Sequence, residues 1–208
     1  MPILKNIFKT FFLAAFLLAG TSLNAQNPAI KPGTAAPFIK LKNIDNRVVS
    51  LLDYPMAKGF IIVFISNTCP YSKVYEQRII DLDKKYSSLH IPVIAINSND
   101  PVLSPGDSFK EMQQRAKTAH YPFAYLCDDQ QQVADLYGAR STPQVFIVSK
   151  MDSSYTVEYT GAIDSDSQNK NPDKIRYAED AVVALLHNTK PAITETRAIG
   201  CRISRRKK

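Results

Sequence analysis

Residues 59–73 read Gly-Phe-Ile-Ile-Val-Phe-Ile-Ser-Asn-Thr-Cys-Pro-Tyr-Ser-Lys, and the reading of this stretch decides the fold. The run GFIIVFIS is nearly all apolar and rich in β-branched and aromatic side chains, as expected of a strand covered on both faces. Pro70 suits the first position of a helix, where its missing N–H costs nothing. Beyond it Tyr75, Ile79, Leu82 and Tyr86 recur at i, i+4, i+7 and i+11, the stripe of a helix packed on that strand. Cys69 stands at the joint. Ser72 occupies the place where a second cysteine would complete a Cys-x-x-Cys pair, so either a dithiol has been lost or Cys69 works without that neighbour.

The alternation of strand and helix continues outward. Residues 37–54, PFIKLKNIDNRVVSLLDY, alternate apolar and polar side chains around an Asp-Asn turn and read as a hairpin. IPVIAIN, 91–97, is a second buried strand. The loop SNDPVLSPGD leads to Ser108 and Glu111, spaced as a capping box at the start of a helix that buries Phe109, Met112 and Ala116. YPFAYLC, 121–127, is a short strand, and QQQVADLYG a short helix stopped by Gly138. PQVFIVSK and SYTVEYTG pair as antiparallel strands, and the last helix buries Ile175, Ala178, Val182 and Leu185. This order gives an α/β domain with a mixed central sheet flanked by helices and an N-terminal β-hairpin. It resembles the thioredoxin fold in its extended, peroxiredoxin-like version.

The chain has 208 residues, enough for one domain with a substantial core. Residues 1–25 read as a leader: Lys5 and Lys9, an apolar run from Phe11 to Gly20 too short to span a bilayer, then Leu23-Asn24-Ala25 as a small-residue cleavage site. Cleavage after Ala25 leaves residues 26–189 as the domain and 190–208 as an irregular basic tail. No later segment is apolar for long enough to cross a membrane, so the expected product is exported, periplasmic or secreted. The formal charge of +7 is unevenly placed. Two of the 26 basic residues lie in the leader and five in the final seven, which leaves the body balanced against its 19 acids. A neutral body with a basic end does not suggest nucleic-acid binding; the end is either solvated or touches an anionic surface.

Three cysteines, Cys69, Cys127 and Cys201, follow the leader. In an oxidising compartment an odd count leaves one thiol without an intramolecular partner. Cys69 sits where a helix begins, and the free N–H groups and dipole there favour thiolate over thiol. Thr142-Pro143 follows a helix stop and precedes a strand. In a thioredoxin-like fold a cis proline at that point packs beside the reactive cysteine. Arg140, three residues earlier, would then lie near the thiolate as a fixed donor, or be an ordinary surface arginine. Ser66 could offer its hydroxyl to the sulfur or to a bound peroxide, or be a plain strand-end serine. Cys127 ends a strand and reads as a small core residue. Cys201, in AIGCRIS, could reach Cys69 and resolve a sulfenic acid into a disulfide, or merely pack. His90, His120 and His187 show no metal-ligand spacing with the cysteines, and no phosphate loop or dinucleotide fingerprint is present, so neither metal nor cofactor is expected.

Over roughly residues 34–204 the chain resembles the peroxiredoxin-like branch of the thioredoxin superfamily, related to alkyl hydroperoxide reductases and thiol-specific antioxidants. SNTCPYSKVYE, AINSNDP, YPFAYLCDDQQQVADLYGARSTPQVFIV and IGCRIS carry the resemblance. Members usually hold an aliphatic residue at the position of Ser72, which implies that Ser72 is a filler and not a lost partner. There are two departures. Ile62 stands where peroxiredoxins have proline, although Ser66 keeps their hydroxyl. The strand before the motif also lacks the buried acid of dithiol thioredoxins. The resemblance implies an exported antioxidant oxidoreductase in which Cys69 attacks a peroxide, assisted by Ser66, Arg140, Thr142 and Pro143. Cys201, Cys127 or an external thiol reductant would then resolve it. Monothiol exchange with a disulfide substrate is the alternative. A binding module that keeps the fold without turnover is the third reading. The oligomeric state is left open.

Overall fold

A computed structural model describes residues 30–206; the leader expected at 1–25 lies outside the described residues. In chain order the elements are β1 (Lys40–Asn43), β2 (Val48–Ser50), β3 (Gly59–Phe64), α1 (Pro70–Tyr86), β4 (Val93–Asn97), α2 (Phe109–Ala119) and β5 (Ala124–Cys127). They continue with α3 (Gln132–Tyr137), β6 (Ser141–Thr142), β7 (Gln144–Met151), β8 (Ser154–Gly161), α4 (Tyr177–Leu186) and β9 (Cys201–Arg202). The main sheet runs β2-β1-β5-β4-β3-β7-β8. β3, β4 and β5 are parallel, while the hairpin joins β5 and the pair β7–β8 joins β3 in antiparallel fashion. This is the thioredoxin fold with the extensions expected from the sequence.

β3 is buried along its whole length, and its two faces feed two cores. Ile61 and Val63 pack with Tyr75, Ile79, Leu82 and Tyr86 of α1, Met112 and Ala116 of α2, and Ala178 and Val182 of α4. Phe60, Ile62 and Phe64 pack on the other face with Val133 and Tyr137 of α3, Leu51 and Ile203. Each fully buried Ile, Val or Phe contributes about 1.5–3 kcal/mol relative to an exposed one. The two-sided burial fixes β3 in register, and with it the point where the chain leaves the sheet at Cys69.

Several local expectations change. Ser108 takes the N-cap position of α2 but makes no side-chain capping bond, so the capping box with Glu111 does not form. Phe109 is half-buried, with the Lys42 ammonium 4.1 Å above its ring centroid. Ile175 precedes α4 and is 49% exposed, because its backbone is tied to Ser165 and not to the helix; Leu185 is only partly buried. Gly138 does end α3, in a left-handed conformation at φ 59° whose N–H reaches back to the helix carbonyls.

The largest difference concerns the basic tail. It is not irregular throughout: β9 pairs antiparallel with β6, Thr142 opposite Cys201. Ile203 is buried, with its N–H on the Arg140 carbonyl. Arg205 pairs with Asp135 at 2.7 Å and Arg206 with Asp100 at 3.0 Å. Those charges therefore face acids of the body; Arg205 is half-buried there, while Arg206 stays 48% exposed.

Candidate active site

Cys69 is the N-cap of α1, extended at φ −71° and ψ 120°, with Pro70 at the first helical position. It is only 2% exposed. Its Sγ lies 2.9 Å from the Thr142 carbonyl oxygen and 2.6 Å from Cys201 Sγ. A disulfide closes at about 2.05 Å, so the pair stands within a small movement of bonding. The Thr142–Pro143 peptide is cis, which turns the Thr142 carbonyl toward Cys69.

The head of α1 serves both sulfurs. The Ser72 backbone N–H reaches Cys69, and that of Tyr71 reaches Cys201. Burial pushes the Cys69 thiol up, but hydrogen bonds from Cys201, the Thr142 side chain and the Ser72 amide outweigh it and hold Cys69 below the ordinary thiol value. Cys201 is pushed up to about 11, by burial first and then by its bond to Cys69 and the charge there. The two thiols are thus unequal, one favouring thiolate and its neighbour thiol. Cys69 becomes unreactive as pH falls through its own pKa, whereas Cys201 gains charge only far above neutrality. Iodoacetamide labelling of the reduced protein should accordingly titrate Cys69 first, below the ordinary thiol value. Cys201 and Cys127 should follow near 11. Site-resolved peptide masses across the pH range check this, and three coincident curves would contradict it.

Ser72 is buried and its hydroxyl accepts the Ser66 N–H at 3.2 Å, closing the loop before Cys69. Ser66 does not offer its hydroxyl to the sulfur. Its Oγ accepts the Cys69 N–H at 3.1 Å and donates to Asp107 Oδ2 at 3.0 Å. Arg140 has an exposed side chain; its N–H donates to Gln144 Oε1 at 2.9 Å and its carbonyl receives Ile203. Cys127 is half-buried at the end of β5, pushed up to about 11 by burial and the nearby Asp129 charge. It lies two strands from β3, about 10 Å at ordinary strand spacing. Among the described residues no three His, Cys, Asp or Glu side chains converge as metal ligands would.

Two residues at this site were not singled out from sequence. Asp107 is 3% exposed, and its carboxylate collects the loop that precedes Cys69. Gly200 lets β9 lie flat on β6, since a Cβ there would stand 2.1 Å from the Thr142 oxygen. The first could have been suspected from Asn97, Ser98, Asn99 and Asp100, four polar residues that end and follow a buried strand and are themselves buried. For the second the signal was only the Gly-Cys pair.

The chain is similar to several known proteins. Two solved structures align over nearly their whole length. One is an uncharacterised conserved protein of Geobacillus kaustophilus, 31% identical, covering 86% of this chain and 97% of its own at a TM-score of 0.77. The other is a hypothetical protein of Sinorhizobium meliloti 1021, 28% identical, covering 85% and 95% at 0.76. The thiol-disulfide oxidoreductase ResA of Geobacillus thermodenitrificans is 24% identical over 151 residues, 70% of this chain and 82% of its own. The AhpC/TSA family model matches residues 32–153, the span that carries β1 to β7 and Cys69 with them. A thioredoxin-like sheet, a cysteine at the head of its first helix and that match together make the chain a member of the AhpC/TSA family, with thiol-disulfide oxidoreductases among its relatives.

Proposed function

We propose that the chain is a thiol–disulfide oxidoreductase whose redox pair is Cys69 and Cys201, with Cys69 as the nucleophile. The observation that carries this reading is the 2.6 Å separation of the two sulfurs at the head of α1. The Cys69 thiolate attacks one sulfur of a substrate disulfide RS–SR′; that bond breaks and R′S⁻ leaves, taking up a proton. Cys201, on losing its proton, attacks the Cys69 sulfur of the mixed disulfide. RS⁻ leaves, and a Cys69–Cys201 disulfide remains. The substrate gains two electrons and the pair loses two. An external thiol reductant returns the pair to its starting state. Cys201 thereby takes the part that a second cysteine at position 72 would play in a Cys-x-x-Cys pair.

Peroxide reduction is the second reading, favoured by the same contact. The Cys69 thiolate displaces RO⁻ from ROOH and becomes a sulfenic acid, and Cys201 condenses with it to give the disulfide and water. Disulfide exchange ranks first because the Ser66 hydroxyl, a candidate donor to a bound peroxide, is bound to Asp107. In either case the leader-like first 25 residues support an exported protein, periplasmic or secreted.

Reduced protein is mixed with oxidised glutathione or hydrogen peroxide, quenched with a thiol blocker and weighed intact. The expected product has one blocked thiol, Cys127, and a Cys69–Cys201 disulfide, formed faster with the disulfide than with the peroxide. Three blocked thiols after excess oxidant would sink both readings.

A further inference from the structure

We propose that Asp107 is the positioning residue of this redox pair: its buried carboxylate holds the Cys69 loop on one side and, through Asn99, the Cys201 strand on the other. The proposal rests on the reading of Cys69 and Cys201 as a redox pair.

Asp107 ends the short 3-10 turn Pro105–Asp107 between β4 and α2. Oδ1 accepts the Asn67 N–H at 2.6 Å and Asn97 Nδ2 at 2.8 Å. Oδ2 accepts from Ser66 Oγ at 3.0 Å, Thr68 Oγ1 at 2.7 Å, Asn99 Nδ2 at 2.8 Å and Ser104 Oγ at 2.6 Å. None of these donors is charged. A buried carboxylate without a cation is costly unless its lone pairs are filled, and six donors exceed the roughly four lone-pair sites it offers. Burial works against its charge, yet these bonds hold its pKa below the ordinary value.

The donors are not scattered. Ser66, Asn67 and Thr68 are the three residues before Cys69, and Ser66 Oγ also accepts the Cys69 N–H. Asn99 bridges to the other cysteine: its Nδ2 meets Asp107 while its Oδ1 accepts the N–H of Ser204, three residues after Cys201, at 2.8 Å. The Asp100 N–H meets the Ser204 carbonyl at 2.9 Å, so the tail is fixed on both sides of that residue. One carboxylate therefore sets where both sulfurs stand. Its negative charge also adds to what keeps Cys201 protonated. An amide in its place would turn an NH₂ group against converging donors and release part of the loop.

The test measures the equilibrium of the Cys69–Cys201 disulfide against glutathione in the native protein, Asp107→Asn, Asn99→Ala and Val157→Ala. The last is a core truncation in β8 that serves as the control for lost stability. Asp107→Asn should lower the equilibrium constant at least tenfold, about 30 mV, and change Cys69 alkylation at pH 7 at least threefold. Asn99→Ala should lower the constant at least fivefold, because the Cys201 strand loses its link to the carboxylate. Val157→Ala should leave the constant within twofold. An unchanged constant in Asp107→Asn, or a fall no larger than the control's, would overturn the proposal. Should Asp107→Asn not fold, an unchanged constant in Asn99→Ala overturns it equally. A native protein that forms no disulfide at any glutathione ratio defeats the redox-pair reading itself, an outcome distinct from a native disulfide that the variants leave alone.

Discussion

Cys69→Ser should reduce the rate of reaction with a small disulfide by roughly a thousandfold or more, because a hydroxyl at the head of α1 ionises too poorly to act as the nucleophile. Cys201→Ser should behave differently. The first step survives, since Cys69 keeps the Ser72 amide and its place at the helix start. The mixed disulfide then has no internal partner and accumulates. Intact-mass measurement distinguishes the two variants: an unmodified chain for the first, a chain carrying one substrate half for the second. Equal accumulation in the Cys201→Ser and native proteins would show that Cys201 takes no part in turnover. Cys127→Ser should match the native protein in both measurements, as expected of a half-buried thiol two strands away.

Gly200→Ala should move two rates in opposite directions. The added Cβ would meet the Thr142 oxygen at 2.1 Å, the Thr142 carbonyl carbon at 2.6 Å and the Pro143 nitrogen at 3.1 Å. All three are backbone atoms beside the site and none can rotate away, so β9 must lift by about an ångström or more. Displacement of that size is worth on the order of a hundredfold in a reaction that depends on alignment, and disulfide closure between Cys69 and Cys201 should slow accordingly. Alkylation of Cys69 should become faster, because the segment that leaves it 2% exposed has been raised. A variant in which Cys127 is also alkylated faster would indicate general unfolding, and one in which neither rate changes would mean that β9 is not seated as described.

The fold was legible because its signals are long. β3 with α1 spans more than twenty residues of consistent pattern, and every apolar position named on the helix stripe is buried. The candidate cysteine, Cys69, was legible for the same reason, lying between those two patterns. What escaped is made of short or distant pieces. β9 and β6 have two residues each, too few for any alternation to show. Asp107 meets partners from 3 to 41 positions away, and only folding reveals that the ends of β3 and β4 deliver most of them to one point. Ser66 was noticed for the wrong contact: its hydroxyl faces the carboxylate and the backbone, a choice that depends on a neighbour the local sequence does not display. The buried carboxylate behind this loop, Asp107, arrives from a turn after β4.

The span between the two sulfurs has a thermodynamic consequence. A Cys-x-x-Cys disulfide closes a loop of a few residues and scarcely restricts the unfolded chain. Cys69 and Cys201 are 132 positions apart, and a bond between them would ring the chain from α1 to β9. Chain-entropy reasoning sets the corresponding restriction of the unfolded state at about 5 kcal/mol, comparable to the whole net stability of many small proteins. By linkage the same free energy returns to the thiols, since folding favours the ring to the degree that the ring favours folding. Such a protein would carry its oxidation state as resistance to heat.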